Sequence, residues 1–166
     1  MSSEKRKIAY IDGKPYEIGA NHTSILKFVK SYVGEKKVPT LCDDPNLAPY
    51  GACRVCSVEV ALEKDGPTKM VASCHTPVAE NQHIFTSNEA ITSLRKNIVE
   101  LVLTDHPMEC DSCEVNNNCE LQTVANDLGI SDHRYNSPKQ HKGIPRDTSH
   151  DYMRMNLDNC INCGRC

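Results

Sequence analysis

Apolar residues along this chain recur with two different periods, and the switches between them mark out the elements. Residues 7–18, Lys-Ile-Ala-Tyr-Ile-Asp-Gly-Lys-Pro-Tyr-Glu-Ile, hold two short β-prone runs on either side of Asp12-Gly13. An Asp-Gly pair accepts the positive φ angles of a tight turn, so the spacing predicts a hairpin. Farther on, Ile25, Phe28, Val29 and Tyr32 share one face at helical spacing, with Thr23 or Asn21 placed to cap the start and Gly34 to end the helix. Pro39 opens an irregular stretch that runs through Pro45, Pro49 and Gly51. Alternation returns in Cys56-Ser57-Val58-Glu59-Val60, a turn is expected at Lys64-Asp65-Gly66-Pro67, and residues 70–73 and 83–86 are further strand candidates.

The second half reads as helical. Thr86 with Glu89 forms a candidate capping box, and Ile91, Leu94, Ile98, Leu101 and Val102 make a stripe that stops near Thr104, ahead of His106-Pro107. Leu121, Val124, Ala125 and Leu128 mark a shorter helix that Gly129 would stop. Residues 130–159 are polar with no sustained period and are expected to form a connection, and the last seven residues are Cys-Ile-Asn-Cys-Gly-Arg-Cys. There is no repeat of fixed period, and the fold class expected from these elements is α+β.

Composition sharpens this picture. Of 166 residues 39% are apolar, with no Trp and two Phe, so the core must be small and built on Ile, Val and Leu. Small cores call for staples such as disulfides or metals. The formal charge of −3, with acids and bases interspersed, lacks the basic surface of a nucleic-acid binder. The longest apolar stretch, residues 98–103, is broken by Glu100 and falls far short of the roughly 20 residues that span a bilayer, so direct membrane insertion is not expected. The charged start, Met1-Ser2-Ser3-Glu4-Lys5-Arg6-Lys7, leads into no apolar run, which points away from secretion and to the cytoplasm, peripheral attachment to a membrane complex included. In a reducing compartment ten cysteines argue for metal chemistry rather than disulfides.

The cysteines fall into three groups. Cys42, Cys53, Cys56 and Cys74 are separated by ten, two and seventeen residues. A Cys-x-x-Cys turn offers two thiolates to one site while the outlying pair closes it, and four thiolates serve a [2Fe–2S] rhombus, two per iron. Small residues in Ala48-Pro49-Tyr50-Gly51-Ala52-Cys53 let backbone amides approach bound sulfide. The spacing matches the plant-type ferredoxin pattern only in part, and zinc also takes paired cysteines. The second group, His106, Cys110, Cys113 and Cys119, is spaced by three, two and five residues. On spacing alone a histidine such as His106 at a helix C-terminus is more often a surface residue that the dipole favours, and a zinc site with three cysteines and one histidine competes with a cluster. Cys160, Cys163 and Cys166 form Cys-x2-Cys-x2-Cys, the opening of the bacterial ferredoxin run, and the reading frame is expected to continue beyond the third cysteine. His22, His75, His83, His133, His141 and His150 lack such context and are read as ordinary polar residues. No nucleophile with an oriented base and no Gly-rich nucleotide loop is evident, so these residues hold no catalytic site of their own.

Gly51-Ala52-Cys53-Arg54-Val55-Cys56 with Ala72-Ser73-Cys74 closely resembles the [2Fe–2S] domain at the N-terminus of several redox proteins. These are the large iron–sulfur subunit of complex I, NAD-linked formate dehydrogenase alpha subunits, iron-only hydrogenases and diaphorase small subunits. The resemblance implies a ferredoxin-like β-grasp domain at 1–86. It further implies a small helical [4Fe–4S] domain at 87–129, bound through His106, Cys110, Cys113 and Cys119, since the segment through Cys-Glu-Leu-Gln looks like the His-x3-Cys-x2-Cys-x5-Cys motif of these families. After the connection at 130–159, residues 160–166 would begin a bacterial-type [4Fe–4S] ferredoxin domain. The implied role is single-electron relay between an NAD- or flavin-binding partner and a catalytic domain or subunit. Within this group the formate dehydrogenase alpha type is the first expectation, on the look of Pro49-Tyr50-Gly51-Ala52-Cys53-Arg54 and Ala72-Ser73-Cys74-His75-Thr76-Pro77.

Overall fold

The computed structural model describes residues 6–132, 134–135 and 143–166; the expectations for the chain start, His133 and His141 lie outside them. Contacts group the chain into one unit, Met1–Arg95 with Arg165, and another, Lys96–Gly164 with Cys166.

The first unit is a five-stranded mixed sheet with one helix. The hairpin forms as expected: β1 (Ile8–Ile11) and β2 (Lys14–Glu17) pair antiparallel around Asp12 and Gly13, whose φ angles are 47° and 83°. Both central residues are left-handed, the geometry that matches the twist of a two-residue hairpin. β3 (Ser57–Ala61), β4 (Lys69–Ala72) and β5 (His83–Phe85) complete the order β2-β1-β5-β3-β4, in which only β1 and β5 run parallel. Alternation sends Ala9, Ile11, Val58 and Ile84 inward against Ile25, Leu26, Phe28 and Val29 of α1 (Ile25–Val33), and Cys56 and Cys74 belong to the same buried cluster. This is the α+β, ferredoxin-like β-grasp expected from the sequence.

Three local expectations are corrected. The N-cap of α1 is Ser24, whose Oγ accepts from the Lys27 amide at 3.3 Å, and neither Thr23 nor Asn21 takes that place. Ser24 directly precedes the first helical residue, the one position from which a short hydroxyl reaches the orphan amides of the first turn. The helix α2 (Glu89–Thr104) is likewise capped by Asn88, whose Oδ1 accepts from the Ile91 amide at 2.8 Å, instead of by a Thr86 and Glu89 box. Thr86 is taken by a partner distant in sequence: its amide and hydroxyl donate to the Asp12 carboxylate at 2.8 and 2.6 Å. Finally, the buried row of α2 is Ile91, Arg95, Val99 and Leu103, while Leu101 is 54% exposed. A guanidinium occupies a position that a count of apolar residues skips, so the expected stripe was turned about the axis.

Asp12 ties the hairpin turn to the end of β5. Partial burial works to raise its pKa, but the Thr86 hydrogen bonds and Lys37, 3.3 Å away, outweigh it and hold the carboxyl below its ordinary value. A folded pKa lowered in this way contributes stability above the unfolded value, which fades as pH falls through the folded one. Asp12→Asn keeps a residue that tolerates the left-handed turn and removes the charge. It should cost about 1 kcal/mol at pH 7, a value reduced for partial exposure and read as a lower urea midpoint with unchanged slope.

In the second unit the described elements are the remainder of α2, a 3₁₀ turn at Cys110–Ser112 and α3 (Glu120–Asp127), which buries Leu121, Val124 and Ala125. Gly129, at φ 66°, follows α3 as expected. Beyond it the described residues are irregular apart from one antiparallel bridge, Asp147 to Met155.

Candidate metal centre

The first four cysteines are gathered by two segments that the sheet holds together. The β3–β4 register pairs Ser57 with Ala72, which sets Cys56 and Ser73 side by side just beyond the ladder. The Ser73 amide and hydroxyl both donate to the Cys56 carbonyl, at 3.3 and 2.7 Å. The start of α1 locks onto the same loop, since the Ile25 and Leu26 amides donate to the carbonyls of Thr76 and Ser73. Those amides are orphan donors of a helix N-terminus, so the Cys74 loop and the helix satisfy each other. Across from them, Gly51 and Arg54 at φ 68° and 61° twist the loop that presents Cys53 and Cys56. His75, read from sequence as an ordinary polar residue, packs its ring 3.5 Å from where a Cβ on Gly51 would stand, and its Nδ1 lies 3.2 Å from the Ala72 carbonyl. It braces one cysteine loop against the other; the only signal for it in the sequence is its place next to Cys74.

Cys42, Cys56 and Cys74 are buried and Cys53 is half-buried. The four sulfurs form two pairs, Cys42 with Cys53 and Cys56 with Cys74. Cys56 is pulled down to about 6, first by the hydrogen bond from the Cys74 thiol and, against burial, by the Cys74 and Ser73 amides and the Ser73 hydroxyl. Cys74 is pushed up because it gives that hydrogen bond, and burial and the negative charges of Cys56 and Cys42 add to the effect. Burial also raises Cys42, although the Cys53 and Ala52 amides favour its thiolate. Cys42, Cys56 and Cys74, crowded together and buried, cannot all ionise alone, and cations that take the protons' place relieve them. Two thiol pairs with inward amides therefore fit a two-iron cluster.

The second group lines one cavity. His106, Cys110, Cys113 and Cys119 border a space of about 310 Å³ together with Gln122 and Asn159. His106 follows the last turn of α2, its amide donating to the Leu103 carbonyl, and Cys110 begins the 3₁₀ turn, which closes as the Cys113 amide donates to the Cys110 carbonyl. Cys119 stands at the N-cap of α3. Gln122 folds the loop between them, accepting from the Asn117 amide and donating to Asn116 Oδ1, both at 2.8 Å. From the connecting segment Asn159 Nδ2 donates to Cys113 Sγ at 3.8 Å. Donors that ring a cavity suit a polynuclear cluster with a volume of its own.

Cys160 and Cys163 are half-buried and Cys166 is exposed, on a segment without regular structure. Asn162 and Gly164 are left-handed at φ 54° and 68°, and the Asn162 amide donates to Cys160 Sγ at 3.4 Å.

A small β-grasp sheet with a cysteine quartet, three of its members buried, followed along the chain by a helical His-and-cysteine cavity, defines an iron–sulfur protein. Comparison with known proteins agrees. Residues 8–89 match the family described as the 2Fe-2S iron-sulfur cluster binding domain, and residues 95–134 match the NADH-ubiquinone oxidoreductase-G iron-sulfur binding region. These two regions make the chain similar to the iron–sulfur regions of the large complex I iron–sulfur subunit and its hydrogenase counterparts, and its cofactors are [2Fe–2S] and [4Fe–4S] clusters. It is 32% identical over 156 residues to the NADPH-Fe(3+) oxidoreductase subunit alpha of Geobacter sulfurreducens, a match that covers 94% of this chain and 17% of that protein. With the NADP-reducing hydrogenase subunit HndD of Solidesulfovibrio fructosivorans it shares 35% identity over 162 residues, 94% of this chain and 26% of the relative. The NADH-ubiquinone oxidoreductase 75 kDa subunit of Reclinomonas americana is 29% identical over 157 residues, 95% of this chain and 21% of that protein. The chain therefore spans between about a sixth and about a quarter of these relatives. A solved structure of an NAD+-reducing [NiFe]-hydrogenase in the H2-reduced state shares the fold, with a TM-score of 0.81 at 24% identity over 96% of this chain and 64% of that one. These findings make the chain an iron–sulfur electron-transfer module of the kind found in NADH- and NADPH-type oxidoreductases and hydrogenases. No helix among the described residues is long and apolar enough to cross a membrane.

Proposed function

We propose that this module relays single electrons between a partner that binds NAD(P)H or flavin and a catalytic domain or subunit, in the cytoplasm or at the face of a membrane complex. The observation that carries this reading is the pairing of four thiols under backbone amides in the first unit, together with the His-and-cysteine cavity of the second. Cys42 and Cys53 would hold one iron of the [2Fe–2S] cluster, and Cys56 and Cys74 the other. His106, Cys110, Cys113 and Cys119 would hold a [4Fe–4S] cluster, and Cys160, Cys163 and Cys166 would supply three ligands to another. When bound, these groups supply one-electron oxidation and reduction. The protein's own part is to exclude water from the quartet, to aim the Ala52, Cys53, Ser73 and Cys74 amides at sulfur, and to lend Asn159 as a donor to Cys113.

The more particular assignment is to a formate dehydrogenase alpha-type chain, favoured by the Pro49–Arg54 and Ala72–Pro77 segments. Formate-dependent reduction of both kinds of cluster, when the chain is assembled with its native partners, is the expected outcome. Reduction by NADH, NADPH or hydrogen but never by formate would assign it to a relative's activity instead.

His106 gives the relay a test of its own. A neutral imidazole leaves the cluster less negative than a fourth thiolate would, which favours the reduced form. His106→Cys should therefore keep a [4Fe–4S] signal and lower its midpoint by on the order of 100 mV in an EPR-monitored titration. An unchanged midpoint would return His106 to a helix-end role.

A further inference from the structure

Arg95 is 6% exposed, although arginine is almost never buried without a partner for its charge. Its Nη2 donates to the Ser57 carbonyl at 2.8 Å, one residue from Cys56, and its buried Nε has no hydrogen-bond partner among the described residues. Burial works against the charge, and what favours it is the negative charge of Cys56. A guanidinium does not give up its proton in proteins, so a positive charge stands permanently behind this cysteine. We infer that Arg95 is a potential-setting residue for the [2Fe–2S] site, the fixed cation that favours the cluster's reduced state. The inference rests on Cys56 being a ligand of that cluster.

The physical argument is one of charge. Four thiolates and two sulfides leave the cluster anionic, and reduction adds one more negative charge with no proton required. A buried cation one residue from a ligand attracts the reduced form more than the oxidised one and raises the midpoint. It acts with little screening because water is excluded. The buried Nε–H remains available to a bound acceptor. α2 holds the guanidinium in place: Asn88 caps the helix and also donates to Glu59 of β3 at 2.9 Å, fastening the helix start to the strand that follows Cys56. Arg54, between Cys53 and Cys56 in sequence, is exposed and serves as the contrast, since solvent screens its charge.

The test is an EPR-monitored redox titration of the full chain carrying Arg95→Gln, Arg95→Met, Arg95→Lys or Arg54→Gln. At a fixed poise both neutral Arg95 variants should show about a tenfold loss in the reduced-to-oxidised ratio of the [2Fe–2S] cluster, a shift of about 59 mV for one electron. Their [4Fe–4S] midpoint should stay where it is, Arg95→Lys should recover most of the shift, and Arg54→Gln should move the midpoint far less. A [2Fe–2S] signal that persists in Arg95→Gln or Arg95→Met at the wild-type midpoint would overturn the inference. If neither neutral variant takes up the cluster, loading of Arg95→Lys near the wild-type midpoint supports a requirement for charge. Failure of all three would contradict it, because the shape of the guanidinium would then be what matters. The wild-type signal and its loss in Cys56→Ser test the ligand reading separately.

Discussion

Cys56→Ser is expected to abolish or strongly alter the reduced-state EPR signal of the [2Fe–2S] cluster and to leave the [4Fe–4S] signal in place. Cys56 is the focus of its quartet: it is 1% exposed, and the Cys74 thiol with the Ser73 and Cys74 amides favours its thiolate and draws it down to about 6. Those donors are placed to stabilise a thiolate. A serine hydroxyl has a far higher pKa and a shorter reach, so the site would lose a ligand and keep amides with no anion to receive them. The second site draws its donors from residues 106–119 and should be spared. A wild-type [2Fe–2S] signal in the variant would refute the assignment of Cys56.

Phe28→Ala should be the most damaging single change to the fold of the first unit, at about 3–5 kcal/mol. The ring is fully buried, with Tyr16 and Tyr32 edge-on against it at 6.5 and 5.4 Å and His22 at 5.2 Å between centroids. A single domain has only about 5–15 kcal/mol in total, so the loss is a large part of the whole. The cluster should be lost along with stability, because α1 is anchored to the Cys74 loop through the Ile25 and Leu26 amides. Chemical unfolding followed at the visible absorption of the cluster checks both effects at once. Phe28→Leu, which refills most of the volume, should recover most of the stability.

What the sequence disclosed and what it hid follow from the range of the interactions. The hairpin was legible because Asp12-Gly13 is a local signal: the turn depends on those two residues and on nothing distant. Gly34 and Gly129 ended their helices for the same reason. The caps were missed where a side chain had a choice of partners. Thr86 resembled a capping residue, but the Asp12 carboxylate, brought alongside by the parallel pairing of β1 with β5, claims both its amide and its hydroxyl. The face of α2 was misjudged because hydrophobic periodicity gives no weight to an arginine, whereas Arg95 is buried through a carbonyl and a thiolate that lie on other elements.

At the sites, cysteine spacing was the legible part, since each group is short enough for a loop to fold around it. The structure gathers the first quartet into two pairs and sets all four members of the second group around one cavity. The supporting residues were hidden. His75 braces Gly51, Gln122 folds the loop before Cys119, and Asn159 reaches Cys113 from far along the chain; none has a spacing rule that announces it. The sequence also left zinc open, and the family matches favour iron–sulfur clusters.

The measurement that bears most directly on the central claim is the Mössbauer spectrum of the full chain, grown on 57Fe and purified without oxygen, taken before and after reduction. The account predicts separate contributions from a [2Fe–2S] and a [4Fe–4S] cluster, with the [2Fe–2S] part missing from Cys56→Ser and the rest intact. A colourless protein that binds zinc and gives no iron spectrum would contradict it.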